Sequence, residues 1–119
     1  MLMTEKTFGA QPPVEGYGPG GFRLGGLWRE GGVVVAPSGV YGIAGDVVGA
    51  LARLLESDPG LDMVILGQGA EIAPLDPAIR APLEAAGIGI EHMATPPACR
   101  TYNVLLGEDR RVAALLLPV

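Results

Sequence analysis

Hydrophobic positions in the first third of the chain follow the spacing of short extended segments. Residues 22–28 place apolar side chains at alternate positions, and residues 33–36 are three valines and an alanine. The motif Glu30-Gly31-Gly32 between them is typical of a turn. Together these features predict an antiparallel hairpin, with the glycine-rich residues before it forming a tight turn into an edge strand. Residues 40–43 are expected to add another short extended piece.

Three later segments have apolar side chains at the 3.6-residue spacing of an amphipathic helix. Each is preceded by a residue that favours a helix start, and a glycine marks the expected end of the second and third helices, at Gly87 and Gly107. The expected starts are Asp46, Asp76-Pro77 and Thr95-Pro96-Pro97. The inner face of the second helix is expected to contain Ile79, Leu83 and Ala86.

Two wholly apolar runs, residues 63–66 and 112–117, are typical of central strands buried on both faces. Residues 88–92 alternate as a further strand. The order of hairpin, helix, strand, helix, strand, helix and strand predicts a layered α/β domain whose helices cover a mostly buried sheet. We expect one domain over residues 14–119 and a flexible N-terminal tail over residues 1–13.

The composition argues against several classes of protein, including nucleic-acid-binding, disulfide-bonded and membrane-spanning proteins. The chain has 119 residues, with 8 basic and 13 acidic side chains and a net charge of −5, so it lacks the basic surface of a nucleic-acid-binding protein. One cysteine excludes an internal disulfide and a cysteine-only zinc site. Residues 1–11 lack the apolar core of a signal peptide, and the longest apolar run is too short for a membrane span. We therefore expect a soluble, cytoplasmic protein with no direct membrane span.

The glycine-rich segment before the predicted hairpin contains the spacing Gly16-x-Gly18-x-x-Gly21. A dinucleotide-binding loop with this spacing follows a strand and opens a helix, whose N-terminus then binds the pyrophosphate. Here the segment follows the predicted tail and leads into a strand. We therefore expect no nucleotide to bind at this segment.

A second glycine-containing loop, Gly67-Gln68-Gly69-Ala70, follows a predicted buried strand. Ligands of α/β sheets bind at this end of the strands, and free amides there favour an anion. A ligand site is therefore predicted between this loop and the start of the third helix. There the Arg100 guanidinium could donate two parallel hydrogen bonds to a carboxylate or phosphate. The residues of the predicted site are Gly67, Gln68, Gly69, Thr95 and Arg100. The alternatives are a turn without a ligand, and an Arg100 that pairs with Glu71 or Glu91.

Cys99 is a possible reactive thiol, since the dipole of the third helix and the adjacent Arg100 would lower its pKa. The alternative is a cysteine packed in the core. His92, Met93 and Cys99 have no recognised metal-ligand spacing, so we expect no metal and no cofactor.

Trp28, Tyr17 and Phe22 lie near the predicted hairpin. They form either an apolar patch for a protein partner or a part of the core. The sequence alone leaves both possibilities open.

Several motifs in chain order resemble a known family. They are Gly18-Pro19-Gly20-Gly21-Phe22, Leu66-Gly67-Gln68-Gly69 and the segment from Thr95 to Leu115. They resemble the small Mth-type α/β domain family of unknown function, which includes mitochondrial complex I assembly factor 3 and the adipogenesis-associated domain protein of animals.

The resemblance implies a three-layer α/β fold with a central mixed sheet. It carries over no catalytic residues, because none are established for the family. It also implies a protein partner, in a membrane respiratory complex or among its assembly factors. We thus expect a non-enzymatic assembly or interaction factor that reaches the inner membrane only through its partner. The alternative is a small-ligand-binding domain or an enzyme with an anion site at residues 67–70 and 95–100.

Overall fold

The structure is a computed structural model that describes residues 11–119, so most of the predicted flexible tail lies outside the described residues. The described chain contains eight strands and three helices. In chain order they are β1 (Val14–Gly18), β2 (Gly21–Leu24), β3 (Leu27–Glu30), β4 (Val33–Ala36), β5 (Gly39–Gly42), α1 (Val47–Ser57), β6 (Met63–Gln68), α2 (Pro77–Ala86), β7 (Gly89–Met93), α3 (Thr95–Gly107) and β8 (Val112–Leu117).

A five-stranded mixed sheet forms the centre of the fold, in the order β5-β4-β8-β6-β7. Strands β8, β6 and β7 are parallel, whereas β4 pairs antiparallel with β8 and with β5. The two wholly apolar runs form β6 and β8, which each have a neighbour on both sides. The predicted central strands are therefore confirmed, and their apolar sequences follow from burial on both faces.

The two faces of this sheet pack against different layers. One face carries Val34, Val64 and Leu115, which pack against α1 and α2. The other face carries Ile65 and Ala114, which pack against α3 and the N-terminal strands. Because successive strand residues point to opposite faces, one apolar run supplies both cores. The predicted three-layer α/β fold with helices on both faces is confirmed.

The N-terminal strands form their own antiparallel sheet, in the order β1-β2-β3. Gly25 and Gly26 have φ angles of 58° and 80°, as a two-residue hairpin turn requires, and they fold residues 22–28 back on themselves. The predicted pairing of that segment with residues 33–36 is therefore wrong. The turn before β2 also leads into the middle strand of the sheet, not into an edge strand.

All three helices begin where the sequence predicts, and the predicted caps agree in two cases of three. Asp46 and Asp76 accept hydrogen bonds from the first-turn amides of α1 and α2, so both predicted caps are confirmed. For α3 the N-cap is Ala94, and Thr95 already lies inside the helix. The predicted Thr95 cap is wrong because its hydroxyl is engaged elsewhere. Ala86, predicted to face inward, is exposed at the end of α2.

The last part of the predicted tail is anchored to the domain. The Tyr102 hydroxyl donates to the Pro12 carbonyl at 2.8 Å, and the Gln11 side-chain amide donates to the Val112 carbonyl. Burial raises the pKa of Tyr102, so this phenol stays protonated as a donor. Residues 11–13 thus continue the ordered chain up to β1.

Candidate functional site

The loop after β6 and the start of α3 meet, as predicted, but they close on each other. The Gly69 N–H donates to Thr95 Oγ1 at 2.9 Å, and the Thr95 hydroxyl donates to the Leu117 carbonyl at 2.6 Å. The Thr95 N–H donates to the Gly69 carbonyl at 2.8 Å. These bonds use the Gly69 amide, one of the groups that the predicted anion site needs.

Side chains also fill the space above Gly67. A Cβ at this position would lie 2.9 Å from Thr95 Oγ1 and 3.2 Å from the Ala98 Cβ, so α3 packs directly on the strand backbone. The Gln68 side chain turns toward the edge of the sheet. Its Oε1 lies 3.1 Å from His92 Nδ1 and accepts from the Ala73 N–H at 3.0 Å. The loop is thus part of the packing between β6 and α3.

Arg100, the fifth residue of the predicted site, lies on a different surface. It is exposed and lines a shallow recess of about 380 Å³ with Thr101, Val104 and Leu105. Within residues 11–119 it forms no ion pair, so neither expected carboxylate partner, Glu71 or Glu91, is used. The structure brings Gly67, Gly69 and Thr95 together and leaves Arg100 apart from them. The anion site stays a prediction to which this geometry adds nothing.

Cys99 is buried beneath α3. Burial raises the pKa of its thiol to about 11, and the opposing effect of Arg100 is smaller. The expected lowering of this pKa by the helix dipole and Arg100 is therefore wrong. The thiol is protonated at neutral pH, and the residue packs with Phe22 and Tyr102 in the core.

The outward face of the N-terminal sheet presents Trp28, whose side chain is 43% exposed. Its indole lies against Gly21 and Gly18, and its Nε1–H donates to Glu30 Oε2 at 2.6 Å. Arg23 lies directly opposite Trp28 on β2 and shares its face. We call this face the Trp28 surface; it comprises Gly16, Gly18, Gly21, Arg23, Trp28 and Glu30.

The Trp28 surface explains the glycine-rich sequence that resembled a nucleotide loop. A Cβ at Gly21 would lie 2.8 Å from Trp28 Cζ2, and one at Gly18 would lie 3.5 Å from Cη2. The glycines leave room for the indole to lie flat on the strands. Of the three predicted patch aromatics, Trp28 is exposed here and Phe22 belongs to the core. Tyr17 is as exposed as Trp28 but lies on the other face, opposite Phe22.

A cleft lies between β5 and the C-terminal half of α1, and sequence reasoning missed it. We call it the β5–α1 cleft. It measures about 420 Å³ and is lined by Ser38, Gly39, Val40, Tyr41, Arg53, Glu56 and Ser57. Tyr41 and Arg53 are polar residues on separate elements. The sequence therefore carries no signal of their pairing except that Arg53 faces away from the core in the helical pattern.

Tyr41 and Arg53 meet inside this cleft. The Arg53 guanidinium carbon lies 3.7 Å from the centre of the Tyr41 ring, a cation–π contact. The Tyr41 hydroxyl is buried beside Ser57 and near the Asp58 carboxylate, and it makes no hydrogen bond of normal length among residues 11–119. Burial has the largest effect on the pKa of this hydroxyl and raises it, so the hydroxyl is protonated and can donate a hydrogen bond. Nearby, the Ser38 hydroxyl donates to the buried Asp58 carboxylate at 2.7 Å.

No group of three or more His, Cys, Asp or Glu side chains within residues 11–119 is placed to hold a metal ion. None of the three described helices is long and apolar enough to cross a membrane.

Two curated relatives match nearly the whole chain. An uncharacterised protein of Rhodobacter capsulatus is 40% identical over 120 residues, which covers 100% of this chain and 94% of the relative. NADH dehydrogenase [ubiquinone] 1 alpha subcomplex assembly factor 3 of Danio rerio is 31% identical over 119 residues, which covers 96% of this chain and 68% of the relative.

Solved structures with the same fold include a crystal structure described as an outer membrane protein from Bartonella henselae. It has a TM-score of 0.87 and 37% identity, and the match covers 95% of this chain and 99% of that one. A solution structure from Bordetella pertussis, described as a Mth938-like domain, has a TM-score of 0.75 and 25% identity, with 99% and 92% covered. The resemblance to the Mth-type family is thereby confirmed.

A family profile described as a protein of unknown function (DUF498/DUF598) matches residues 14–117. These limits coincide with the domain from the start of β1 to the end of β8. The chain therefore belongs to the DUF498/DUF598 family, whose Mth938-like fold it shares.

Proposed function

We propose that this protein is a non-enzymatic assembly factor for a respiratory NADH dehydrogenase, and that the Trp28 surface contacts its protein partner. The observation that carries the proposal is a half-exposed tryptophan held in one orientation. Trp28 is in contact with two glycine backbones and bonded to Glu30, although 43% of its side chain faces solvent. The partner is inferred from the name of the Danio rerio relative.

The physical argument is one of pre-organisation. Tryptophan is enriched among the interface residues that contribute most binding energy, because it buries a large apolar area and also donates a hydrogen bond. A side chain that is already ordered loses little conformational entropy on binding. Burial of the exposed part of Trp28 by a partner therefore adds affinity at low entropic cost. Arg23, opposite on the same face, adds a cation whose guanidinium donates to the Gly26 carbonyl at 3.3 Å.

The test is genetic complementation in Rhodobacter capsulatus. The gene for the 40%-identical relative is deleted and replaced by this chain, as wild type, Trp28→Ala or Ile72→Ala. Ile72 is the matched control, since it is a large apolar residue, 62% exposed, in the loop before α2. We measure the NADH:ubiquinone oxidoreductase activity of the membranes and the amount of assembled enzyme on native gels.

The wild type and Ile72→Ala should restore both quantities, whereas Trp28→Ala should restore roughly a tenth of the activity, as expected for a lost interface anchor. Thermal unfolding of each purified variant shows whether Trp28→Ala remains folded. A deletion without effect on the enzyme contradicts the assembly role. Full restoration by Trp28→Ala contradicts the role of the Trp28 surface.

A further inference from the structure

The β5–α1 cleft lies beside an open edge of the central sheet. Strand β5 pairs only with β4, so its other side is an edge within the described chain. The Ile43 N–H donates to the Gly32 carbonyl, and antiparallel pairs alternate along the strands. Tyr41 is therefore bonded to β4 through its backbone, and the backbone groups of Val40 and Gly42 point outward. These groups can pair with one more extended strand.

The two edges of the central sheet differ in their protection. Edge strands are commonly blocked by charged side chains, by proline or by bulges. The other edge strand, β7, carries Glu91 in its middle, whereas β5 has the sequence Gly39-Val40-Tyr41-Gly42 and carries no charge or proline. Its pairing with β4 is also regular throughout. The backbone of β5 is thus open to an added strand.

The cleft presents hydrogen-bond donors on two side chains. The Tyr41 hydroxyl lies beside Ser57 but makes no hydrogen bond of normal length among the described residues. Arg53 is in contact with the Tyr41 ring, and no described carboxylate lies within ion-pair distance of its guanidinium. Two carboxylates are nearby. Glu56 lines the same cleft but is exposed and forms no ion pair with Arg53, and Asp58, near Tyr41, accepts from the Ser38 hydroxyl. A guanidinium that lies over a phenol ring places N–H and O–H donors near each other, and such donors are complementary in charge and hydrogen bonding to a carboxylate.

We propose that the β5–α1 cleft binds an extended acidic peptide segment of a partner protein. The peptide backbone pairs with the outward groups of Val40 and Gly42, and an Asp or Glu side chain enters the cleft and accepts hydrogen bonds from Arg53 and Tyr41. The proposal rests on the proposed function only in that a protein partner supplies the peptide. The cleft and the Trp28 surface lie on different elements, so their variants are independent.

The test uses a phage-displayed library of random twelve-residue peptides, selected on the full chain. Selected sequences should be enriched in Asp or Glu flanked by β-branched residues and depleted in proline. The tightest peptide is then synthesised, and its affinity is measured by fluorescence anisotropy. Amide NMR spectra of the labelled protein should show the largest shifts at Val40 and Gly42.

Four variants test whether the cleft binds the peptide through a negatively charged side chain. Arg53→Ala should weaken binding of the selected peptide by about tenfold or more, and Tyr41→Phe by about fivefold, as expected for charge-assisted hydrogen bonds. Glu56→Gln should tighten it, because a repelling carboxylate is removed. Arg80→Ala, on α2, is the matched control and should leave the affinity unchanged, since Arg80 lies outside the cleft and pairs with Glu84.

Each other outcome overturns the proposal. These are failure to select any peptide, enrichment of Lys or Arg, weaker binding by Glu56→Gln, or amide shifts away from β5. If sedimentation finds a dimer that Arg53→Ala dissociates, the cleft is occupied by a second copy of this chain. That result also overturns the proposal. None of these results involves the NADH dehydrogenase, so failure here leaves the complementation test of the proposed function intact.

Discussion

Replacing Gly21 with alanine should lower the free energy of unfolding by about 3 kcal/mol, at the upper end of overpacking substitutions. A Cβ at this position would lie 2.4 Å from the Arg29 carbonyl oxygen and 2.8 Å from Trp28 Cζ2. The first contact is with backbone, so β2 and β3 must separate. The second lifts the indole from the sheet. The substitution should therefore destabilise the domain and disturb the Trp28 surface together.

Urea denaturation measures this effect conveniently, because Trp28 is the chain's single tryptophan and its fluorescence reports on the affected surface. Gly16→Ala is the matched control: it lies on β1 with nothing within 4 Å of its would-be Cβ, and its change should stay within about 0.5 kcal/mol. Equal unfolding midpoints for Gly21→Ala and Gly16→Ala would show that Trp28 does not pack on Gly21 as described.

Replacing Thr95 with valine should cost about 3 kcal/mol, the second large effect. Valine keeps the shape of the side chain but removes the oxygen that accepts from the Gly69 N–H and donates to the Leu117 carbonyl. Both Gly69 and Thr95 are buried, so the freed amide has no access to water. An unsatisfied buried donor loses its full solvation energy, which is larger than the net value of one hydrogen bond.

The variant Thr95→Ser separates the contribution of the hydroxyl to stability from that of the buried methyl group. Serine keeps both hydrogen bonds and loses one buried methyl group, so it should cost only about 1 kcal/mol. Differential scanning calorimetry compares the three proteins. If valine proves as stable as threonine, the hydroxyl is not a buried link between the β6 loop, α3 and β8.

The element order was predictable because each buried strand and each helix has a distinct apolar period. Each of these signals is local. The apolar runs of β6 and β8 are short continuous segments, and the caps at Asp46 and Asp76 bond to amides two or three residues away. The hairpin failed for a local reason. Gly25-Gly26 competes with Glu30-Gly31-Gly32 as a turn, and the two-residue turn with positive φ angles closes the hairpin. Alternation alone does not distinguish the two turns.

The candidate site was less predictable because it depends on tertiary contacts. Thr95 has the sequence of a helix cap, but the nearby Gly69 and Leu117 backbone groups bind its hydroxyl instead. Arg100 is only five residues from Thr95, yet a helical turn places it on the exposed side of α3. Tyr41 and Arg53 are brought together only when β5 joins the sheet beside α1, which no local pattern reports.

Photo-crosslinking from the Trp28 surface tests the central claim, that this surface binds a respiratory assembly partner. The photoreactive p-benzoylphenylalanine replaces Gly16 in one protein and Ile72 in a control, both expressed in the Rhodobacter capsulatus deletion strain. Gly16 lies on the Trp28 surface with nothing within 4 Å of its would-be Cβ, so the probe leaves Trp28 in place. After irradiation, crosslinked peptides are identified by mass spectrometry. Position 16 should crosslink to an NADH dehydrogenase subunit or to a protein bound to its assembly intermediates, and position 72 should not. Equal crosslinking from both positions, or crosslinks from position 16 only to unrelated proteins, would contradict the claim.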